Sequence, residues 1–283
     1  MRKRLLFLLA FLAPTLLYAQ LTYHPTPPKV PDYVVFAGDT VKLDRQDFRE
    51  RMDRELISFT YMHTNSTLML RRSRRMFGFV VPILKERGIP EDLKYLMAIE
   101  SNLDPLAVSA TGASGLWQFT KATAATYKLE VSAEVDERFH PEKETIAACN
   151  FLKDAYNKFG DWITVAASYN AGPGGIAARL AEQKQTSALE LFIKEETSRY
   201  MFRLLACKMF FENPSAFGFR FNPVDQYPPY PRRTAVSVSG PVNWVDFALE
   251  HGTTYAALRD ANPWIRDTKL TNKAGKTYWV LIP

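Results

Sequence analysis

The sequence predicts a mainly α-helical protein that ends in a small β-α-α-β module, and three observations predict it. From Phe48 to Cys207, apolar residues return every three or four positions in stretch after stretch. Glycine and proline punctuate those stretches, with Pro90 and Pro141 at starts and Gly88 and Gly160 just past ends. Only near the C-terminus do β-branched and aromatic runs take over: TAVSVSG and TYWVLIP bracket two short helical patterns, Trp244 to Glu250 and Tyr255 to Asn262. A chain of 283 residues, 47% hydrophobic and 23% charged, has room for one substantial core and a small module.

Residues 1–19 have a basic start, an apolar run too short to span a bilayer comfortably, and Ala19 before Gln20, so they read as a secretory signal. No cysteine lies near the expected cleavage point, which argues against a lipidated N-terminus. Losing Arg2, Lys3 and Arg4 lowers the formal charge from +6 to +3. That weak excess suits an anionic polymer or membrane surface, and no basic run carries a nucleic-acid reading motif.

Residues 20–65 are expected to be an extended Pro-rich segment and then a helix from Asp44 to about His63, buried along Phe48, Met52, Leu56 and Phe59. The Gly38-Asp39-Thr40 triplet is read as chance. A second helix runs from about Ser66 to Arg87, with Pro82 as a candidate kink. Its Arg71, Arg72, Arg74 and Arg75 are read as a solvated face with one or two salt bridges.

The next helix should start near Pro90, with Glu91 and Asp92 in its first turn. Leu93, Leu96 and Met97 mark its apolar face, and Glu100, four past Leu96 and seven past Leu93, falls on that face. A carboxylate so placed loses hydration near the negative end of the helix dipole, and both effects raise its pKa. By itself the helix leaves two readings open, a buried structural acid or a general acid. After it, SATGASGLWQF is a small-residue turn that lets backbone approach a ligand beside Trp117 and Gln118.

Thr120 is a plausible N-cap for a short helix through Tyr127. Pro141 opens a helix buried along Ala148, Leu152, Ala155 and Phe159, and Trp162 to Tyr169 continues inward until NAGPGG breaks it. A helix over Gly175 to Gln183 and a long one through KEETSRYMFRLLACKMF complete the helical part, residues 66–212. Tyr200 has two readings there, a cleft residue or a half-buried tyrosine beside Leu204 and Cys207. Residues 213–233, rich in Pro and aromatics, read as a semi-rigid linker, and residues 234–283 as the final module. Cys149 and Cys207 sit in apolar helical patterns as small hydrophobes, and no Cys/His spacing supports a metal site.

Three ordered motifs carry a resemblance: Glu100-Ser101; Ser109 with GASGLWQF at Gly112 to Phe119; and ASYNAGPG at Ala167 to Gly174. Together they resemble the soluble lytic transglycosylase domain, a relative of goose-type lysozyme, with the approach from Arg71 to Leu96 most similar to the membrane-bound type D enzymes. The last fifty residues resemble a LysM module, although its usual opening Gly-Asp-Thr is missing and only Asn262 and Leu281-Ile282-Pro283 fit well. The resemblance implies a lysozyme-like helical fold and a monomeric enzyme of a bacterial periplasm or cell envelope. It would act on peptidoglycan glycan strands without metal or cofactor.

It also implies the chemistry. Most glycosidases need two carboxylates, whereas a lytic transglycosylase uses one, because the muramic C6 hydroxyl attacks C1 and closes a 1,6-anhydro ring. Glu100 would be that catalytic group, with Ser109, Gln118, Tyr169, Asn170 and Tyr200 holding acid or sugar. A hydrolytic muramidase using Asp136 as its second carboxylate, and an inactive wall-binding scaffold, are the competing readings. Asp104, followed by Pro105, is assigned to a turn.

Overall fold

The computed structural model describes residues 25–283; the expected signal segment lies outside them. The chain opens with a hairpin, β1 (Tyr33–Phe36) and β2 (Asp39–Lys42), paired antiparallel around Ala37 and Gly38, both at positive φ. Here the structure departs from the extended segment expected of the sequence. Val34, Phe36, Val41 and Leu43 alternate inward and are buried, and Ala37-Gly38 forms the hairpin turn, with Asp39 and Thr40 beginning β2. Asp92 Oδ2 accepts a 2.8 Å hydrogen bond from the Ala37 amide, which ties the hairpin to the entrance of the Glu100 helix.

Helix α1 (Gln46–Tyr61) and helix α2 (His63–Glu86, with Pro82 inside it) follow. Pro90 opens a single 3₁₀ turn over Glu91–Leu93, and α3 (Lys94–Ser101) begins only after it. Glu91 and Asp92 are drawn to lysines, Glu91 to Lys85 and Lys94 and Asp92 to Lys208, and so pin the turn. Asn102 and Leu103 then take left-handed backbone angles and end α3 within a residue of Glu100. Helices α4 (Lys121–Thr126), α5 (Pro141–Phe159), α6 (Trp162–Ala171), α7 (Pro173–Gln183) and α8 (Glu195–Glu212) complete the helical part. Thr120 caps α4 by accepting from the Thr123 amide, and Asp161 caps α6 by accepting from the Ile163 and Thr164 amides.

Every residue of α6 from Trp162 to Ser168 is buried, so this helix is the hub, with α5, α7 and α8 packed around it. Helix α1 lies against α8, where Phe48 meets Phe202 edge-on at 5.4 Å and Phe59 stacks on Phe210 at 5.3 Å. One apolar cluster runs from Val34 to Phe217. Cys149 and Cys207 are buried free thiols within it.

The segment after α8 lies on the helical part. Phe217 is buried against Phe210. The Tyr227 amide donates to Arg71 O, and Arg75 donates to Pro228 O with its guanidinium over the rings of Tyr227 and Tyr230. Two of the four clustered arginines thus have structural partners, since Arg72 pairs with Asp104.

In the final module β3 (Thr234–Val238) pairs antiparallel with β6 (Tyr278–Ile282), and β4 (Val242–Asn243) with β5 (Lys269–Leu270). Between them stand α9 (Trp244–Glu250) and α10 (Tyr255–Ala261). Asn262 fastens the end of α10 to β6, donating to Leu281 O and accepting from the Leu281 amide. The module's apolar cluster of Trp244, Leu258, Trp264, Ile265 and Val280 takes in Val135 from the loop before α5. Backbone bonds from the Asp136 amide to Trp264 O and from the Arg266 amide to Glu134 O join loop and module.

Candidate active site

Glu100 stands on the last turn of α3. Leu93, Leu96 and Met97 below it are fully buried, and Glu100 continues their face to the floor of a cavity of about 420 Å³. Tyr200 of α8 donates from Oη to Glu100 Oε1 at 2.5 Å. Burial is the main force on the carboxyl and raises its pKa to about 7. The Tyr200 hydrogen bond and the positive charge of Arg203 work against that rise, and Glu196 adds to it. Tyr169 and Tyr200, both with pKa values pushed well up by burial, stay protonated and act as donors.

Of the residues singled out from sequence, Asn170 and Tyr200 line the same cavity as Glu100. Asn170 Oδ1 accepts from Thr197 Oγ1 at 2.8 Å, so the amide nitrogen is the end left for a ligand. Tyr169 Oη donates to Trp117 O at 2.6 Å, which moors the glycine-rich loop to α6. Gln118, at φ +51°, turns its amide nitrogen back onto Ala107 O and Gly115 O. Ser109 Oγ accepts from the Ala113 amide and bonds Thr111 Oγ1, so it closes its own turn and makes no hydrogen bond to Glu100.

Asp136 has a different employment from the one the muramidase reading gives it. Both its oxygens are held by Arg138, at 2.9 and 2.7 Å, and the pair is almost wholly buried. Arg138 spends its remaining nitrogen on Gly112 O and Phe119 O, the two ends of the loop. Asp136 is therefore a loop anchor. Two further carboxylates from the first turn of α8 line the cavity with Glu100: Glu195, which is paired with Arg54, and Glu196, which has no ion pair among the described residues.

Two buried acids went unnoticed in the sequence. Glu144, at 0% exposure, accepts the Leu116 and Trp117 amides at 3.0 and 3.3 Å. Gly115 is the reason it can approach: at φ +86°, a Cβ there would fall 1.8 Å from Arg138 O and 2.3 Å from Glu144 Oε2. Glu55 of α1, also at 0% exposure, accepts from Arg199 and Arg203, which line the cavity. Signals for both were present. The stripe Ala148, Leu152 extended four residues back lands on Glu144, and Glu55, seven past Phe48 and four before Phe59, stands beside Leu56 on the stripe of the first helix. Among the described residues no group of three or more His, Cys, Asp or Glu is gathered as metal ligands, and no described helix is long and apolar enough to cross a membrane.

Residues 82–192 match the family model of the transglycosylase SLT domain, and residues 234–283 that of the soluble lytic transglycosylase C-terminal LysM-like domain. The chain is 28% identical over 260 residues to membrane-bound lytic murein transglycosylase D of Escherichia coli, covering 89% of this chain and 56% of that protein. It is 37% identical over 93 residues to membrane-bound lytic murein transglycosylase F of Maricaulis maris, covering 30% and 19%. A solved lytic transglycosylase Slt from Pseudomonas aeruginosa aligns with 54% of this chain and 26% of its own, at 20% identity and a TM-score of 0.41. The chain spans about half the length of the type D relative it matches.

Proposed function

We propose that this homologue of the type D murein transglycosylases cleaves the β-1,4 bond between N-acetylmuramic acid and N-acetylglucosamine in peptidoglycan without consuming water. The observation that carries the reading is Glu100, a carboxyl with a pKa near 7 at the floor of a cavity and hydrogen-bonded by Tyr200. Near neutral pH it is present in both forms, so it can give and take a proton in one cycle. Glu100 protonates the glycosidic oxygen as the bond to muramic C1 breaks. The muramic C6 hydroxyl then attacks C1, its proton passes to Glu100, and a 1,6-anhydro ring closes with the acid regenerated.

Asn170 holds a sugar hydroxyl or acetamido oxygen through its amide nitrogen, and Tyr200 steers the carboxyl. Tyr169, with Ser109 and Gln118, maintains the glycine-rich loop between α3 and α4. The names of the relatives and the signal-like residues 1–19 support an enzyme exported to a bacterial cell envelope; it acts as a monomer, with its LysM-like module on the same polymer. Mass spectrometry of digested sacculi tests the reaction: anhydromuramic ends are expected, and a product set made wholly of reducing muramic ends would overturn it.

A further inference from the structure

We propose that Arg199 and Arg203 form a carboxylate-binding site in the wall of the Glu100 cavity, one that selects the acidic substituent of the muramic residue. The inference rests on the peptidoglycan reading above and adds a specificity determinant from helices α1 and α8, which lie outside the matched SLT segment.

Arg199 and Arg203 are four residues apart on α8 and share a face. Beneath them Glu55 Oε1 takes Arg199 Nε at 2.7 Å, and Oε2 takes Arg203 Nε at 3.2 Å. The Glu55 carboxylate accepts no other hydrogen bond among the described residues and has no exposure, so its charge is committed to fixing these two guanidinium groups. Burying a carboxylate in this way is expensive and a poor device for stability alone. Each arginine is held by Nε only. Its terminal nitrogens have no protein partner among the described residues, and the side chains keep 26% and 40% of their exposure. Two cations over one anion leave one positive charge in excess, displayed by planar donors that match a carboxylate. Arg54 and Glu195 also line this cavity, but they pair with each other and leave no charge over.

The substrate narrows the choice of ligand. Its sugars are neutral, and its carboxylates lie on the lactyl ether of muramic acid or on the peptide attached to it. Either source lies on the sugar whose C1 is attacked, so a cation in the wall of the same cavity has one kind of group to meet. Glu196, also in that wall and without an ion pair among the described residues, opposes an anion placed away from the arginines and sharpens the position.

The test uses three glycan preparations: peptide-bearing strands, amidase-stripped strands with free lactyl carboxylates, and stripped strands neutralised with methylamine. Anionic strands are expected to be cut about tenfold more efficiently in kcat/KM than neutralised ones, since a charge-assisted hydrogen-bonded contact is worth about that ratio. The ratio should fall to near one in the Glu55→Gln/Arg199→Gln/Arg203→Gln triple variant, which leaves no lone buried charge. It should also fall in Arg199→Lys/Arg203→Lys, which keeps Glu55 paired but loses the planar fork. Discrimination on stripped strands identifies the lactyl carboxylate, and discrimination on peptide-bearing strands alone identifies the peptide. Equal cutting of all three by the unaltered chain, or a ratio preserved in both variants, overturns the site. If the unaltered chain cuts nothing, the cleavage reading fails, and calorimetric binding of stripped against neutralised strands then decides the arginine site by the same ratio.

Discussion

Tyr200 and Glu100 lie a hundred residues apart in the chain and 2.5 Å apart at Oη and Oε1. The tyrosine is the only group found donating a hydrogen bond to that carboxyl among the described residues, and it favours the charged form against the burial that disfavours it. Replacing Tyr200 with Phe should move the pKa of Glu100 further up. In a pH profile of kcat/KM, the limb on which activity is lost as the acid deprotonates should shift to higher pH. An unchanged limb would mean that the hydrogen bond has no hold on the acid.

Glu100→Gln removes the transferable proton and keeps the shape. Cleavage of sacculi should fall by about 10²-fold to 10⁴-fold or more, the range for a lost acid-base group, while the circular dichroism spectrum stays that of the unaltered chain.

The same variant should also gain stability, in a pH-dependent way. Glu100 is raised from 4.5 to about 7 on folding, so below pH 4.5 both states are protonated and the group contributes nothing. Between 4.5 and 7 the folded state binds more protons than the unfolded one, and stability falls as pH rises. Above 7 the full penalty applies, at most about 3.5 kcal/mol at ~1.4 kcal/mol per pH unit. Melting curves should therefore show Glu100→Gln above the unaltered chain at pH 8 and level with it at pH 4. A gain of equal size at both values would place its origin elsewhere.

Gly115→Ala should destabilise the loop and the enzyme together. The added methyl meets a backbone carbonyl, which cannot swing aside, at a positive φ that alanine tolerates poorly. A loss of about 1–3 kcal/mol is expected for such overpacking, with cleavage reduced further because Glu144 loses its place under Leu116 and Trp117. A melting temperature within a degree of the unaltered chain would show that the loop can shift.

Truncation reads the attachment of the tail. From composition, ending the chain after Asn213 should leave the helical part intact, but the structure puts Phe217 in its core and the Pro-rich segment under Arg75. A chain ending at Asn213 should melt well below one ending at Arg233, which keeps both contacts. The Arg233 form should still fall below the full chain, because Val135 loses the module that covers it. Equal melting of all three would mean that neither contact matters to the helical part.

The helical periodicities made most of the fold legible, and they placed Glu100 because an acid stood where a leucine belonged. The same test, applied to every stripe, also finds Glu55 and Glu144, which are structural partners of arginines and amides. A misplaced carboxylate in a sequence therefore announces burial, and only what converges on it in space tells acid catalyst from anchor. That convergence was hidden because Glu55, Glu100, Glu196 and Arg203 come from three distant segments. The hairpin at Tyr33–Lys42 was missed for a simpler reason: two four-residue strands give too few alternations to stand out beside the prolines before them.

Glu196 carries the last prediction, because its position weakens one argument from the sequence and supplies a better experiment. In the sequence Glu100 is the one carboxylate that a helix stripe singles out, and Asp136 is the muramidase reading's candidate for the second. Asp136 is locked to Arg138, so its removal would damage the loop whatever the chemistry. Glu196 lines the cavity with Glu100 and has no ion pair among the described residues, so it is the group that a hydrolase would use to activate water across the ring. If the muramic C6 hydroxyl is the nucleophile, Glu196→Gln can slow the reaction by altering the field at Glu100 or the seat of the sugar, but every product should still end in anhydromuramic acid, one water lighter than the hydrolytic end. Glu196 also raises the pKa of Glu100, so the variant's alkaline limb should move to lower pH. Products bearing reducing muramic ends in the unaltered chain, lost together with activity in Glu196→Gln, would make this enzyme a muramidase with Glu196 as its base.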